Sequence, residues 1–172
     1  MPNPDVHWIS TYGGRFIAMP DALLAEWHGC PDDGRDPLDT SHDYGRACST
    51  TGYVAHLPIG QSTAIVFGEN KSGGVLLGCG TPIVFEWIYA DSPDAVVAAL
   101  QRLPDDIAVD AELPFHVDSD HLNVFDSAFA GCDFEPQHSC RFLIKSGRYV
   151  IGSSLYEPNT EIGLVVHRFT PV

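Results

Sequence analysis

Short β-prone runs, each cut off within a few residues by glycine, proline or a polar turn, constrain this chain more than any other feature. Val6–Ser10 and Arg15–Ala18 flank Gly13-Gly14, and Tyr53–Leu57, Thr63–Phe67, Val75–Leu77 and Ile83–Tyr89 follow, separated by 58–60, 69–74 and 80–82. Further on come Ile107–Val109, Phe115–Val117, Leu122–Phe125, Cys140–Ile144, Tyr149–Ser153 and Gly163–Phe169, with Ser146-Gly147 as a hairpin signal between two of them. Runs of this length and punctuation predict antiparallel strands.

Helical signals are few. Asp21 is a plausible N-cap for a helical turn over Ala22–Trp27, the polar stretch 30–41 reads as a surface loop, and 43–48 fits either a helical turn or a bend. One helix is clear. Ser92 can cap it, Pro93 suits its first position, and Val96, Ala99, Leu100 and Leu103 fall at i, i+3, i+4 and i+7 before Pro104 stops it. Nothing else in the chain could cover this apolar face, so the helix is expected to pack on a sheet. The expected fold is therefore α+β, mostly β, with two β-rich antiparallel halves joined by one helix at about 92–103. The 172 residues suit a single domain, 1–172, with sub-halves at 1–91 and 92–172 as an alternative division. Trp8, Trp27 and Trp87 stand in apolar contexts, and Trp87 is expected in the core.

Charge narrows the function. Nine Lys and Arg oppose 23 Asp and Glu, a formal net charge of −14. Nucleic-acid binders need a positive footprint, so this balance argues against nucleic acid as the partner. The acidity is concentrated in 91–140, while 141–172 is slightly basic. No apolar run is long enough for a membrane span, and no export signal opens the chain, so a cytoplasmic location is expected. Cys30, Cys48, Cys79, Cys132 and Cys140 contain no CxxC pair and read as reduced thiols.

Two clusters carry metal-binding residue types. His116, Asp118, Asp120 and His121 resemble the HxHxDH motif of the metallo-β-lactamase superfamily with one His replaced, and strand alternation would put His116, Asp118 and Asp120 on one face. The competing reading is a polar hairpin tip. Cys132, His138 and Cys140 offer three soft ligands with no fourth indicated. There is no GxSxG, GxGxxG or Walker loop. Neither a cofactor nor a small-molecule ligand is expected. Two acidic groups remain, Asp32, Asp33, Asp36, Asp39 and Asp43 in the first loop, and Asp105, Asp106, Asp110 and Glu112 after the helix. They are either solvated surface or a field that steers a basic partner.

The ordered pattern as a whole resembles a family. Trp8-Ile9-Ser10 with Gly13-Gly14, then Met19-Pro20, Leu23-Leu24 and Trp27-His28-Gly29, form one block, and residues 43–48 a second. Residues 86–91 form a third, and 125–128, 147–150 and 164–168 close the pattern. From residue 7 to about 171 the chain resembles the immunity protein 21 family of bacterial polymorphic toxin systems. The resemblance implies an intracellular antitoxin, mostly β and without catalytic residues, whose partner is a cognate toxin domain. A toxic nuclease is basic because it binds phosphates, and the acidic segments suit one. Asp32, Asp33, Asp36, Asp39, Asp105 and Asp106 are the partner-binding candidates. Arg15 and Glu86 depart from the family's pattern and are expected to touch the partner surface. The alternative function is a small metal-dependent hydrolase using His116, Asp118, Asp120 and His121.

Overall fold

The structure, a computed structural model, describes residues 5–68, 72–78, 80–133 and 135–172. Cys79 and part of the expected 69–74 turn lie outside the described residues. Eleven strands are described: β1 Asp5–Ser10, β2 Phe16–Pro20, β3 Val54–Ile59, β4 Ser62–Phe67, β5 Ser72–Leu77, β6 Ile83–Tyr89, β7 Ala111–Val117, β8 His121–Asp126, β9 Ser139–Leu143, β10 Gly147–Asn159 and β11 Ile162–Pro171. They form two antiparallel sheets, ordered β1-β5-β6-β11-β10-β7 and β3-β4-β2-β8-β9. The helices are α1 Asp43–Cys48 and α2 Pro93–Leu100, with 3-10 turns at Asp21–Glu26 and Pro136–His138.

The mostly-β α+β class and the antiparallel pairing are those expected. The two β-rich units, however, are sheets and not sequence halves. β6 pairs with β11 and β2 with β8, so each sheet takes strands from both sides of α2. The links at Gly13-Gly14, 118–120 and Ser146-Gly147 do not close hairpins, because each carries the chain from one sheet to the other. The true two-residue hairpins are β3–β4 and β10–β11. Ile107–Val109 forms no strand, although Ile107 packs beside α2.

Side-chain alternation explains the layering. Phe16, Ala18, Ile65, Phe67, Val75, Val84, Val124 and Ile151 fill the space between the sheets. Their neighbours Ile17, Met19, Ala64, Val66 and Phe125 point the other way and are covered by Leu23, Trp27 and Ala47. β2 is consequently buried along its whole length, which is why it reads as a continuous apolar run. On the far side, Val96, Ala99 and Leu100 of α2 pack on Leu76, Phe85, Leu164 and Val166. The Ser92 side chain caps this helix by accepting from the Ala95 N–H at 3.2 Å. Trp87 is only half-buried in this layer, and Trp27, 1% exposed, is the tryptophan of the core. The sandwich edges are tied across as well. His56 Nε2 donates to the Pro114 carbonyl at 2.7 Å, joining β3 to β7, and His7 Nε2 donates to the Pro136 carbonyl at 3.2 Å. Such ties shield strand edges from pairing with other chains.

Asp21 does not cap its 3-10 turn. Its carboxylate instead accepts from Arg141 Nη2 at 2.6 Å and from Asn123 Nδ2 at 2.7 Å, linking the turn to β8 and β9. The Arg141 bond, then the Asn123 bond, hold its pKa down at about 2 against an ordinary 3.8. A carboxylate depressed in the folded state adds stability that is fully present above its unfolded pKa and is lost as pH falls through the folded one. Asp21→Asn should therefore flatten the loss of stability between pH 3.8 and about 2, followed by urea midpoints. The pair is about half exposed, so solvent screening keeps the effect small. An unchanged acid slope in the variant would refute the linkage.

Candidate functional site

The two acidic groups do not come together. Asp32, Asp33, Asp36 and Asp39 lie on the fully exposed loop before α1, on the outer side of the five-stranded sheet. Asp105 and Asp106, also exposed, follow α2 on the outer side of the six-stranded sheet. In the first loop Asp33 pairs with Arg35 at 2.8 Å, Asp36 Oδ1 accepts from the Leu38 N–H at 3.0 Å, and Asp39 Oδ1 from the Ser41 N–H at 2.8 Å. The Arg35 bond lowers the Asp33 pKa, and the Ser41 amide lowers that of Asp39. Near α2, Arg168 donates to the Asp105 and Pro104 carbonyls at 2.9 and 2.6 Å, and Asp105 lines a cleft of about 740 Å³ over Leu76, Ile83 and Leu103.

The expected metal face is not built. β7 ends at Val117, so strand alternation stops before Asp118, and Asp118 and Asp120 belong to the turn between the sheets. His116 is exposed on β7 and His121 half-buried at the start of β8. Cys132 is exposed, whereas His138 and Cys140 are buried. Burial pushes the Cys140 thiol up to about 11. Among the described residues, no group of three or more His, Cys, Asp or Glu side chains could hold a metal ion.

Sequence reasoning missed a knot of three loops around Asp126. This carboxylate is 0% exposed at the end of β8 and accepts from the Tyr12 N–H at 2.7 Å and the Ala128 N–H at 2.9 Å. Burial raises its pKa, and the two amide bonds and nearby His138 act against that rise. Around it, the Ser127 N–H bonds the Arg15 carbonyl at 3.0 Å, the Cys30 N–H the Ala128 carbonyl at 2.8 Å, and the Trp27 indole N–H the Ser127 carbonyl at 3.2 Å. α1 joins through Tyr44, whose N–H reaches the Gly29 carbonyl, and Asp43, which accepts from the His28 N–H. A Cβ on Gly14 would lie 2.6 Å from the Tyr44 ring and 3.0 Å from Ser127 Oγ, so only glycine lets these loops meet. The Gly13-Gly14, Trp27-His28-Gly29, 43–48 and 125–128 stretches of the family pattern thus converge at one place. A sequence signal existed in Asp126 itself, an acidic residue ending an apolar strand.

Above the knot, Phe129 stacks on the buried His138 ring, and the exposed Tyr12 ring leans tilted against both. His138 lies 4.8 Å from the Tyr12 ring and 5.0 Å from Phe129, and its Nδ1–H donates to the Ser10 carbonyl at 2.7 Å. Tyr12 is 76% exposed. Arg15 and Glu86, expected at the partner surface, are both buried. Glu86 belongs to a second polar cluster. Its Oε1 accepts from His167 Nε2 at 2.9 Å, and Ser153 Oγ lies 2.8 Å from His167 Nδ1. The order is that of a serine–histidine–acid triad, yet all three residues are 0% exposed between the sheets. Because no substrate reaches them there, the network holds strands together.

Fold and surface define an acidic two-sheet protein of the mostly-β class, with its polar knots inside and carboxylates and the Tyr12 ring outside. A family model described as "Immunity protein 21" matches residues 7–162, and the chain belongs to that family, as its sequence resemblance implied. No curated protein and no solved structure matches it.

Proposed function

We propose that this immunity protein is a cytoplasmic antitoxin that binds one cognate toxin domain and blocks its active site, and that the toxin is a basic nuclease. Family membership supports the immunity role. The single observation that carries the basic partner is the excess of 23 acidic over nine basic residues, with Asp32, Asp33, Asp36, Asp39, Asp105 and Asp106 on exposed loops. A surface of this kind steers a cationic protein into contact and excludes the phosphates that the nuclease would otherwise hold. The protein acts by occlusion, without turnover, metal or cofactor.

Because the two acidic groups lie on opposite outer layers, one contiguous interface takes one of them. The test is stopped-flow association with the cognate toxin domain, at low and high salt. Charge reversal to lysine is made at Asp32, Asp33, Asp36 and Asp39, and separately at Asp105 and Asp106. One of the two variants should bind roughly tenfold more slowly and with a flatter salt dependence, since steering raises on-rates by 10- to 1,000-fold. On-rates indifferent to salt and to both reversals would exclude a basic partner.

A further inference from the structure

We propose that Tyr12, held on the Phe129–His138 stack, is the anchor of the toxin interface and receives a cationic side chain, arginine or lysine, of the toxin. The proposal rests on the antitoxin reading above and gives it a place on the surface.

Tyr12 combines two properties that seldom coincide. Its side chain is 76% exposed, more than any other large apolar or aromatic residue described. Its position is nevertheless fixed from beneath. The Tyr12 N–H is held by the buried Asp126 carboxylate, and its ring leans on Phe129 at 5.6 Å and on His138 at 4.8 Å. His138 is itself 5% exposed and tied to the Ser10 carbonyl. A fully buried carboxylate thus fixes the backbone of a residue whose side chain faces solvent. The ring belongs to none of the three core clusters. Rigid aromatic side chains lose little conformational freedom on binding, and Tyr is among the residues enriched at binding hot spots.

Charge around the stack selects the occupant. The acidic loop is rooted beside Phe129, through the Cys30 N–H on the Ala128 carbonyl. Between Cys30 and Asp43 it carries four aspartates and one arginine, and that arginine is engaged by Asp33. Exposed Asp133 lies on the other side of Phe129 in the chain. An aromatic face beside carboxylates attracts a guanidinium or ammonium group by the ring quadrupole and by Coulomb attraction together. An apolar or anionic anchor would leave that field unused or opposed.

The experiment measures affinity of the full chain for a catalytically inactive form of the cognate toxin domain, by calorimetry. Tyr12→Ala should weaken binding by about 30-fold or more, the hot-spot range, with the denaturation midpoint unchanged. Tyr12→Phe should keep most of the affinity, because the ring face is retained, and Tyr12→Leu should lose much of it. Leu143→Ala, exposed on β9, is the control and should bind like the wild type. Wild-type affinity in Tyr12→Ala would overturn the anchor while leaving the antitoxin reading standing. Full affinity in Tyr12→Leu would overturn the cationic occupant. Failure of the wild-type chain to bind the toxin domain would overturn both.

Discussion

Trp27→Ala should lower the stability of the folded protein by about 3–5 kcal/mol, the range for removing a large aromatic side chain from a packed core. The indole is 1% exposed and packs with Ile17, Met19, Leu23, Ala47 and Phe125 on the outer face of the five-stranded sheet. Its N–H also satisfies the Ser127 carbonyl, so the alanine variant combines a cavity with an acceptor deprived of its donor. In a chain of this size the loss corresponds to a drop in Tm of roughly 6–20 °C. Trp87→Ala should cost clearly less, because Trp87 is half-buried and touches solvent beside Trp8. Urea denaturation of both variants ranks them. A larger loss for Trp87 than for Trp27 would reverse the assignment of the core tryptophan.

The contrast between these two tryptophans shows what the sequence carried. Both stand among apolar residues, and a sequence gives apolar context without saying how many layers cover it. Trp27 ends the 3-10 turn that closes one outer face, whereas Trp87 lies on the face that an eight-residue helix covers only in part. Local signals were sufficient where the chemistry is local. Ser92-Pro93 start α2 as read, and each of the eleven described strands overlaps its expected run by at least three residues.

They fell short where the decision is non-local. A Gly-Gly or Ser-Gly turn looks the same whether the next strand returns beside the last or crosses to the opposite sheet. Three links whose residues suit a turn between neighbouring strands are therefore crossings. The same limit applies to the site. Asp126, Tyr12, Phe129 and His138 are separated by up to 126 positions and meet only through the sandwich. Arg15 and Glu86 looked like surface variations because charge is normally exposed, and both are buried. The acidic loops were legible as exposed loops, since Asp, Gly and Pro at such density build no core.

Glu86 leads to the second large effect expected. His167→Ala should destabilise the protein by about 3–5 kcal/mol, comparable to breaking a buried polar pair. Ser153 and His167 are direct register partners on β10 and β11, and Glu86 on β6 lies opposite Val165, one step along the same face. The imidazole therefore spans three adjacent strands of the six-stranded sheet and packs its face 4.6 Å from the Phe67 ring of the other sheet. Its removal takes one hydrogen-bond partner from Ser153 and one from Glu86 at sites that water does not reach, and each such loss costs about 1–3 kcal/mol. Relief by backbone movement is blocked, because Gly68 already approaches the Glu86 carboxylate so closely that a Cβ there would lie 2.0 Å from Oε2. Ser153→Ala, which deletes only the hydroxyl, should cost about 1 kcal/mol. In His167→Ala that hydroxyl has already lost its partner, so adding Ser153→Ala should cost nothing more or restore some stability. This sub-additivity separates a hydrogen-bonded network from mere packing, since packing losses at neighbouring positions accumulate as cavities. Strictly additive losses would mean that His167 contributes through its contact with Phe67 and not through the chain of bonds from Ser153 to Glu86.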